Sequence, residues 1–171
     1  MQSNRFQLEI LTLNHVQFRV DYYLSNKEHL EIWHPTTPER FYTFKYQEDK
    51  VKKNLDLINN GESMHFVILN KSKTKLLGHC NYTKIKNHKC WLGYSISKVS
   101  EGKSIMYEAL QLTNEYIINN LDIKEIRAGI LPNNERSIRL IKRLNFKYVG
   151  EKDELEINGE IRTYETYLLS A

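Results

Sequence analysis

The chain has 171 residues, about the length of one domain, with 25 Lys plus Arg against 21 Asp plus Glu and a formal net charge of +4. Apolar residues make up 40% and charged residues 27%, with only 7 Gly and 3 Pro, which excludes a disordered, collagen-like or low-complexity chain. No run approaches the roughly 18 apolar residues of a membrane span, the opening MQSNRFQLEIL lacks a basic segment followed by an apolar stretch, and the two cysteines, Cys80 and Cys90, are too few for a disulfide scaffold.

Residues 5–12, RFQLEILT, alternate Phe6, Leu8 and Ile10 with polar neighbours and predict a strand. Asn14 reads as the N-cap of a helix through HVQFRVDYYLSN, with Val16, Val20, Tyr23 and Leu24 on one face. Trp33, Pro35 and Pro38 then break any period. Helical spacing returns at Val51, Leu55 and Ile58 and stops at Asn60-Gly61. MHFVILN, KLLGHCNYTKI and KCWLGYSIS read as three strands of an antiparallel meander, with turns at Asn70 to Lys73 and at Asn87-His88. A loop, KVSEGKS, opens a helix with Ile105, Met106, Ala109, Leu110, Thr113 and Tyr116 near one face. Ile123 to Leu131 reads as a strand ended by Pro132, and Asn134 as the cap of a helix that carries Ile138, Ile141 and Leu144 and ends at Asn145. FKYVGEKDELEI and IRTYETYLL form a closing hairpin across Asn158-Gly159, a dipeptide favoured in tight hairpin turns. With no repeat, linker or break in composition, residues 1–171 are expected to form a single α+β domain.

The isoelectric point near 8.9 rests on two lysine clusters at predicted turns: Lys71, Lys73 and Lys75, then Lys84, Lys86, His88 and Lys89. Neither is a long run of like charge, and no base-reading module accompanies them, so they read as solvated hairpin tips and no specific DNA binding is expected. The six histidines give no metal-ligand spacing, and no Ser-His-Asp or Cys-His signature is present, so neither a metal site nor a covalent nucleophile is expected. Cys80 and Cys90 read as structural thiols in a cytoplasmic protein.

The order strand, helices, meander, glycine-containing loop, helix, strand, helix, hairpin carries more than any one of its parts. The stretch from LGYSISKVSEGKSIMYEAL through ILPNNERSIRLIKRLNF resembles the cofactor half of the GNAT N-acetyltransferase superfamily. It is most similar to the branch that contains the RimJ and RimL ribosomal-protein N-terminal acetyltransferases, and DYYLSNKEHLEIW upstream and the closing hairpin extend the likeness to nearly the whole chain. The resemblance implies a mixed, strongly twisted sheet of about seven strands with helices on both faces. It implies acetyl transfer from acetyl-CoA to a primary amine, by direct attack without an acyl-enzyme. The implied acceptor is the N-terminal α-amine of a ribosomal protein, with ribosome association and no membrane contact. Two alternatives stay open: a small-molecule acceptor (a polyamine, an antibiotic or an aminoacyl nucleotide), and a non-catalytic member that binds CoA and associates with ribosomes.

The resemblance also implies the site. A pyrophosphate-binding signature falls on Glu101, Gly102, Lys103, Ser104, Ile105 and Met106, where backbone N–H groups at a helix start would meet the anion. Three anchor positions depart from the family: Glu101 for Gln, Ser104 for Gly, and Met106 for a small residue. Glu101 places a like charge near the phosphates, and Lys103 offsets part of it. Backbone of Tyr94, Ser95 and Ile96 would hold the pantetheine if this strand splays from Ile123 to Leu131, while the side chains of Tyr94 and Ile96 read as core. Asn134 would contact the pantetheine arm as well as cap its helix, and Arg143 would serve the nucleotide end. Ser137 is expected to protonate the departing thiolate, because the position that carries a tyrosine acid in many members is Ile141. For the base, Glu154 and Glu156 are candidates, as are His79 and Asn81 holding a relay water, with Asn81 also facing the acceptor. Trp33, followed by His34-Pro35, is expected to wall the acceptor groove, with core packing as its other reading.

Overall fold

The structure, a computed structural model, describes residues 3–33, 37–157 and 160–171, with backbone alone at 155–157 and 160. His34, Pro35, the Asn158-Gly159 turn and the side chain of Glu156 therefore lie outside the described residues. Seven strands are present: β1 (Phe6–Ile10), β2 (Met64–Asn70), β3 (Leu76–Lys86), β4 (Lys89–Ile96), β5 (Glu125–Ile130), β6 (Lys147–Ile157) and β7 (Glu160–Ser170). They form one sheet in the order β1-β2-β3-β4-β5-β7-β6, antiparallel throughout except for the β4–β5 pair. Among the described residues five α-helices accompany it: α1 (Val16–Ser25), α2 (Lys27–Glu31), α3 (Phe44–Asn59), α4 (Ile105–Leu121) and α5 (Glu135–Arg143).

Helices cover both faces because the strands alternate apolar side chains to both. Phe66 and Ile68 of β2 join Phe6, Leu8, Tyr82, Leu110, Ile117 and Ile141 in one core. Their neighbours Val67 and Leu69 point the other way and join Leu11, Val16, Tyr22, Leu30 and Val51 in a second. The meander turn at Asn87-His88 has positive φ at both residues, 52° and 60°, as a two-residue turn matched to strand twist requires. Asn70 closes the other turn by accepting the N–H groups of Thr74 and Lys75 on its side-chain oxygen.

Two helices end by the same device. At the end of α3, Glu62 N–H reaches Leu57 C=O and Gly61 N–H reaches Ile58 C=O, with Gly61 left-handed at φ 71°. At the end of α5, Phe146 N–H reaches Ile141 C=O and Asn145 N–H reaches Lys142 C=O, with Asn145 supplying the left-handed residue at φ 67°. The accompanying apolar contact falls on Ile141 and Phe146, both buried.

The first helix departs from its expected pattern in two places. Asn14 does not cap it: a single turn of 3-10 helix, Leu13–His15, precedes α1, and His15 Nδ1 accepts the Thr12 N–H at 3.0 Å. The buried residues of α1 are Val16, Arg19, Val20 and Tyr22, while Leu24 is 54% exposed. Polar partners, Gln47 of α3 for Arg19 and Ser95 of the sheet for Tyr22, draw both inward and turn the helix off its apolar stripe. Ile10 is likewise exposed, because the chain leaves β1 there and buries Leu11 in its place.

Candidate active site

The parallel pair β4–β5 is short. Lys89, Cys90 and Trp91 pair with Glu125, Ile126 and Arg127, and there the ladder stops. Beyond Trp91, β4 stays with β3, its Gly93, Tyr94, Ser95 and Ile96 opposite Asn81, Cys80, His79 and Gly78. β5 stays with β7 as far as Ile130. The sheet thus forks, as the sequence reading requires, and leaves backbone groups of Tyr94–Ile96 without a β5 partner. Gly78 makes the β3 side of the fork possible: a Cβ there would lie 2.4 Å from the Ser95 carbonyl oxygen.

A cavity of about 530 Å³ occupies the fork. Tyr94, Ser95, Ile96, Glu101, Gly102, Ser104, Ile105, Met106, Asn134, Ser137, Arg143 and Trp33 all line it. Among the expected residues, Lys103, Asn81 and His79 do not. The Lys103 carbonyl instead accepts from Arg5 at 2.5 Å. Asn81 sits on β3 between two imidazoles, bonded to His65 and His79. Trp33 is only partly buried at the cavity wall, so core packing is not its role. Glu154 is exposed on β6 and does not line the cavity.

The loop before α4 leaves a helix start open at the cavity. Gly102 is left-handed at φ 70°, Ser104 follows at φ 56°, and the Ser104 side chain makes no cap bond to the first turn of α4. The first-turn N–H groups and the positive end of the helix dipole are therefore offered outward. Ser104 carries its Cβ in a conformation that favours glycine, which explains why a glycine is the family's choice there.

Glu101 does face the cavity, and its charge is matched. Arg136 Nη1 reaches its carboxylate at 2.5 Å, and His29 Nε2 lies 3.6 Å away. The offsetting cation is thus Arg136 from α5, not Lys103. Arg136, Arg139 and Arg143 all line the cavity, at spacings that keep them on one side of α5. Arg143 lies over the Tyr107 ring, 3.8 Å from its centroid, which fixes the guanidinium by cation–π attraction. Sequence reasoning singled out Arg143 alone, although the three-four spacing of arginines was there to be seen. It missed His29, whose ring also meets the Ile96 carbonyl at 3.3 Å.

At the inner end, Asn134 caps α5 by accepting the Ser137 N–H at 3.1 Å. The Ser137 hydroxyl meets the Tyr94 hydroxyl at 2.5 Å. Tyr94 is therefore not inert core: it reaches across the fork to α5. Burial pushes the Tyr94 phenol well above its ordinary range, so it stays protonated and can donate to Ser137, leaving the serine proton free to point elsewhere. Ile141 is wholly buried in the core and is no part of the site. Cys80 and Cys90 are buried free thiols, each pushed up to about 12 by burial, which removes them as nucleophiles. Among the described residues no cluster of His, Cys, Asp or Glu could hold a metal ion, and no helix is long and apolar enough to cross a membrane.

Known proteins share this family and this fold. Residues 7–147 match the family described as Acetyltransferase (GNAT) domain. The chain is 32% identical over 153 residues to the [ribosomal protein uS5]-alanine N-acetyltransferase of Escherichia coli K12, covering 84% of this chain and 76% of that protein. The fold superposes on ribosomal-protein-S5-alanine acetyltransferase from Vibrio fischeri with a TM-score of 0.92 and 22% identity, over 99% of this chain and 95% of the other. Mycobacterium smegmatis RimJ, solved in complex with CoA-disulfide, superposes with a TM-score of 0.86 and 17% identity, over 98% of this chain and 86% of that one. A forked sheet, an uncapped helix start at α4 and a family match over most of the chain lead to one conclusion: this protein belongs to the GNAT acetyltransferases, enzymes that use acetyl-CoA as acetyl donor.

Proposed function

We propose that the protein transfers the acetyl group of acetyl-CoA to the N-terminal α-amine of a protein, a ribosomal protein being the acceptor class. The whole chain, 1–171, acts as one catalytic domain in the cytoplasm, in contact with ribosomes. The observation that carries the reading is the fork between β4 and β5, which leaves strand backbone free beside an uncapped helix start and an arginine-lined helix. The name of the Escherichia coli relative supports the acceptor class.

When bound, acetyl-CoA supplies a thioester carbonyl and a thiolate leaving group. The amides of Gly102–Met106 hold the pyrophosphate, with Arg136 and Arg143 adding positive charge. Backbone of Tyr94–Ile96 aligns the pantetheine in the fork, and Asn134 fixes the helix start beside it. Ser137, held by Tyr94, donates its proton to the departing sulfur. Trp33 and His29 wall the side from which an acceptor enters. An α-amine suits this site: with a pKa near 7.7 to 8.0 it is roughly a quarter neutral at pH 7.4, whereas a lysine near 10.4 is only about 0.1% neutral.

The test is acetyl-CoA consumption against a panel of peptides with free N-termini, spermidine and an aminoglycoside, alongside calorimetry with acetyl-CoA. Turnover confined to the peptides is expected. Preference for a small amine would replace the acceptor class, and no acetyl-CoA binding at millimolar concentration would remove the enzymatic reading.

A further inference from the structure

Behind the cavity wall runs a chain of buried polar side chains that the proposed function leaves unused, the base candidates His79 and Asn81 among them. Ser95 faces the cavity, and its Oγ lies 2.8 Å from the Tyr22 hydroxyl and 2.9 Å from His79 Nε2. The same His79 nitrogen lies 3.2 Å from the Tyr23 hydroxyl, and Arg19 reaches that hydroxyl at 3.4 Å and Gln47 at 3.2 Å. On the other side of the ring, His79 Nδ1 meets the Asn81 amide at 3.2 Å, and Asn81 meets His65 Nδ1 at 2.9 Å. His79, Ser95, Arg19, Gln47 and His65 are all buried. Three strands and two helices converge to bury groups that each cost free energy unless they are paired.

We infer that Ser95 and His79 form a proton relay that takes the proton from the acceptor amine. The inference rests on the acetyl-transfer reading. A serine hydroxyl has one proton to give and two lone pairs. Tyr22, kept protonated by burial, donates into one lone pair, and the Ser95 proton faces His79 Nε2. The second lone pair is left for an N–H of the amine at the cavity wall. As the C–N bond forms, one amine N–H bond breaks with its electron pair staying on nitrogen. Ser95 Oγ takes that proton while its own passes to His79 Nε2, and the imidazolium later returns it to solvent. The structure sets Asn81 Nδ2 toward His79 Nδ1 and Asn81 Oδ1 toward His65 Nδ1; turning the amide over exchanges the two in place, so Asn81 selects which His79 nitrogen carries the resting proton. With the amide oxygen toward Nδ1–H, Nε2 is the acceptor that the relay needs.

Among the groups that the structure places around His79 are Tyr22 and Tyr23 from α1, with Arg19 behind Tyr23, Asn81 and then His65 across the sheet, and Ser95 from β4. Arg19 opposes a second positive charge here, so the imidazolium is transient. Burial and the Arg19 charge hold His65 below its ordinary range, which keeps that second imidazole neutral while His79 cycles.

The experiment compares wild type with His79→Gln, Ser95→Ala and Tyr22→Phe, using an alanine-initiated peptide as acceptor over pH 6 to 9, with calorimetric Kd for acetyl-CoA on each. His79→Gln and Ser95→Ala should lose about 10²-fold in kcat, with Kd unchanged within a few-fold, because Ser95 keeps its backbone. Both should also lose the acid-side fall of kcat that belongs to the imidazole, keeping only the one owed to the amine. Tyr22→Phe removes the donor that orients Ser95, so its kcat should fall between wild type and Ser95→Ala with the imidazole's acid-side fall kept. Rates near wild type in His79→Gln, or a profile lowered uniformly without change of shape, would overturn the relay. The His79 Cε1–H resonance, identified by its loss in His79→Gln, reads the same claim without turnover. Its titration midpoint should fall when the peptide ammonium is added to the CoA complex, and a midpoint that stays put overturns the relay. If wild type binds acetyl-CoA but leaves the peptide unmodified, the acceptor reading has failed and this resonance decides the relay alone.

Discussion

Replacing Ser137 by alanine removes one hydroxyl and little else. The helix cap survives, because Asn134 accepts from the Ser137 backbone N–H rather than from its side chain. The cavity loses no wall, since Ser137 is only partly buried. What disappears is the donor proposed to face the leaving sulfur, and removing one donor to a developing anion costs about 10² in kcat, near 2.7 kcal/mol. Tyr94 acts through Ser137: its hydroxyl lies 2.5 Å from the serine oxygen. Tyr94→Phe should therefore cost less, about fivefold, near 1 kcal/mol, the worth of one orienting hydrogen bond. The double variant should be no slower than Ser137→Ala, because Tyr94 has nothing to orient once the serine is gone. Single-turnover rates on the three variants, with calorimetric Kd for acetyl-CoA held within a few-fold, measure this directly. Additive losses in the double variant would mean that Tyr94 and Ser137 act on separate atoms, and unchanged turnover in Ser137→Ala would refute the assignment outright.

Three further outcomes follow from the same geometry. Glu101→Gln removes a carboxylate from the anion site and releases Arg136; the pair is exposed on the arginine side, at 72%, so folding should scarcely change while acetyl-CoA binds about fivefold tighter, near 1 kcal/mol, by calorimetry. Gly78→Ala drives a Cβ against the Ser95 carbonyl, so β4 must shift; a loss of about 1 to 3 kcal/mol in denaturant unfolding and a weaker acetyl-CoA Kd should appear together, whereas Gly93→Ala, where a Cβ meets open space, should leave the fork intact. His65 is held below its ordinary range chiefly by burial, so the unfolded chain takes up a proton there before the folded one does; stability should fall as pH drops from about 6.5 toward 5, and His65→Asn should flatten that slope in thermal melts across the window.

The meander, the crossover helices and the closing hairpin were legible because their periods and turn residues agree. Asn87, His88 and Gly61 sit where left-handed backbone is needed, and they take it up. The first helix was harder to read. Its apolar stripe points to Leu24, but Arg19 and Tyr22 find partners 28 and 73 residues away in Gln47 and Ser95, and those contacts decide which face is buried. No local pattern carries such information. The anion-binding loop was legible only through resemblance, and the partner of Glu101 was not legible at all, since Arg136 lies 35 residues further on and meets it only once α5 has docked. The fork itself arises from where a parallel ladder stops, at Trp91 and Arg127, and neither residue advertises that. Asn145 ending α5 in place of a glycine was legible, because asparagine tolerates the same backbone region.

The central claim is that acetyl goes from acetyl-CoA to an N-terminal α-amine. It is tested most directly with one peptide that carries both a free N-terminus and an internal lysine, incubated with acetyl-CoA and the protein at pH 7.4. Tandem mass spectrometry then locates the acetyl group. The account predicts acetylation at the N-terminus, abolished when the N-terminus is blocked beforehand. Acetyl found on the lysine, or transfer that continues unchanged in the blocked peptide, would contradict it.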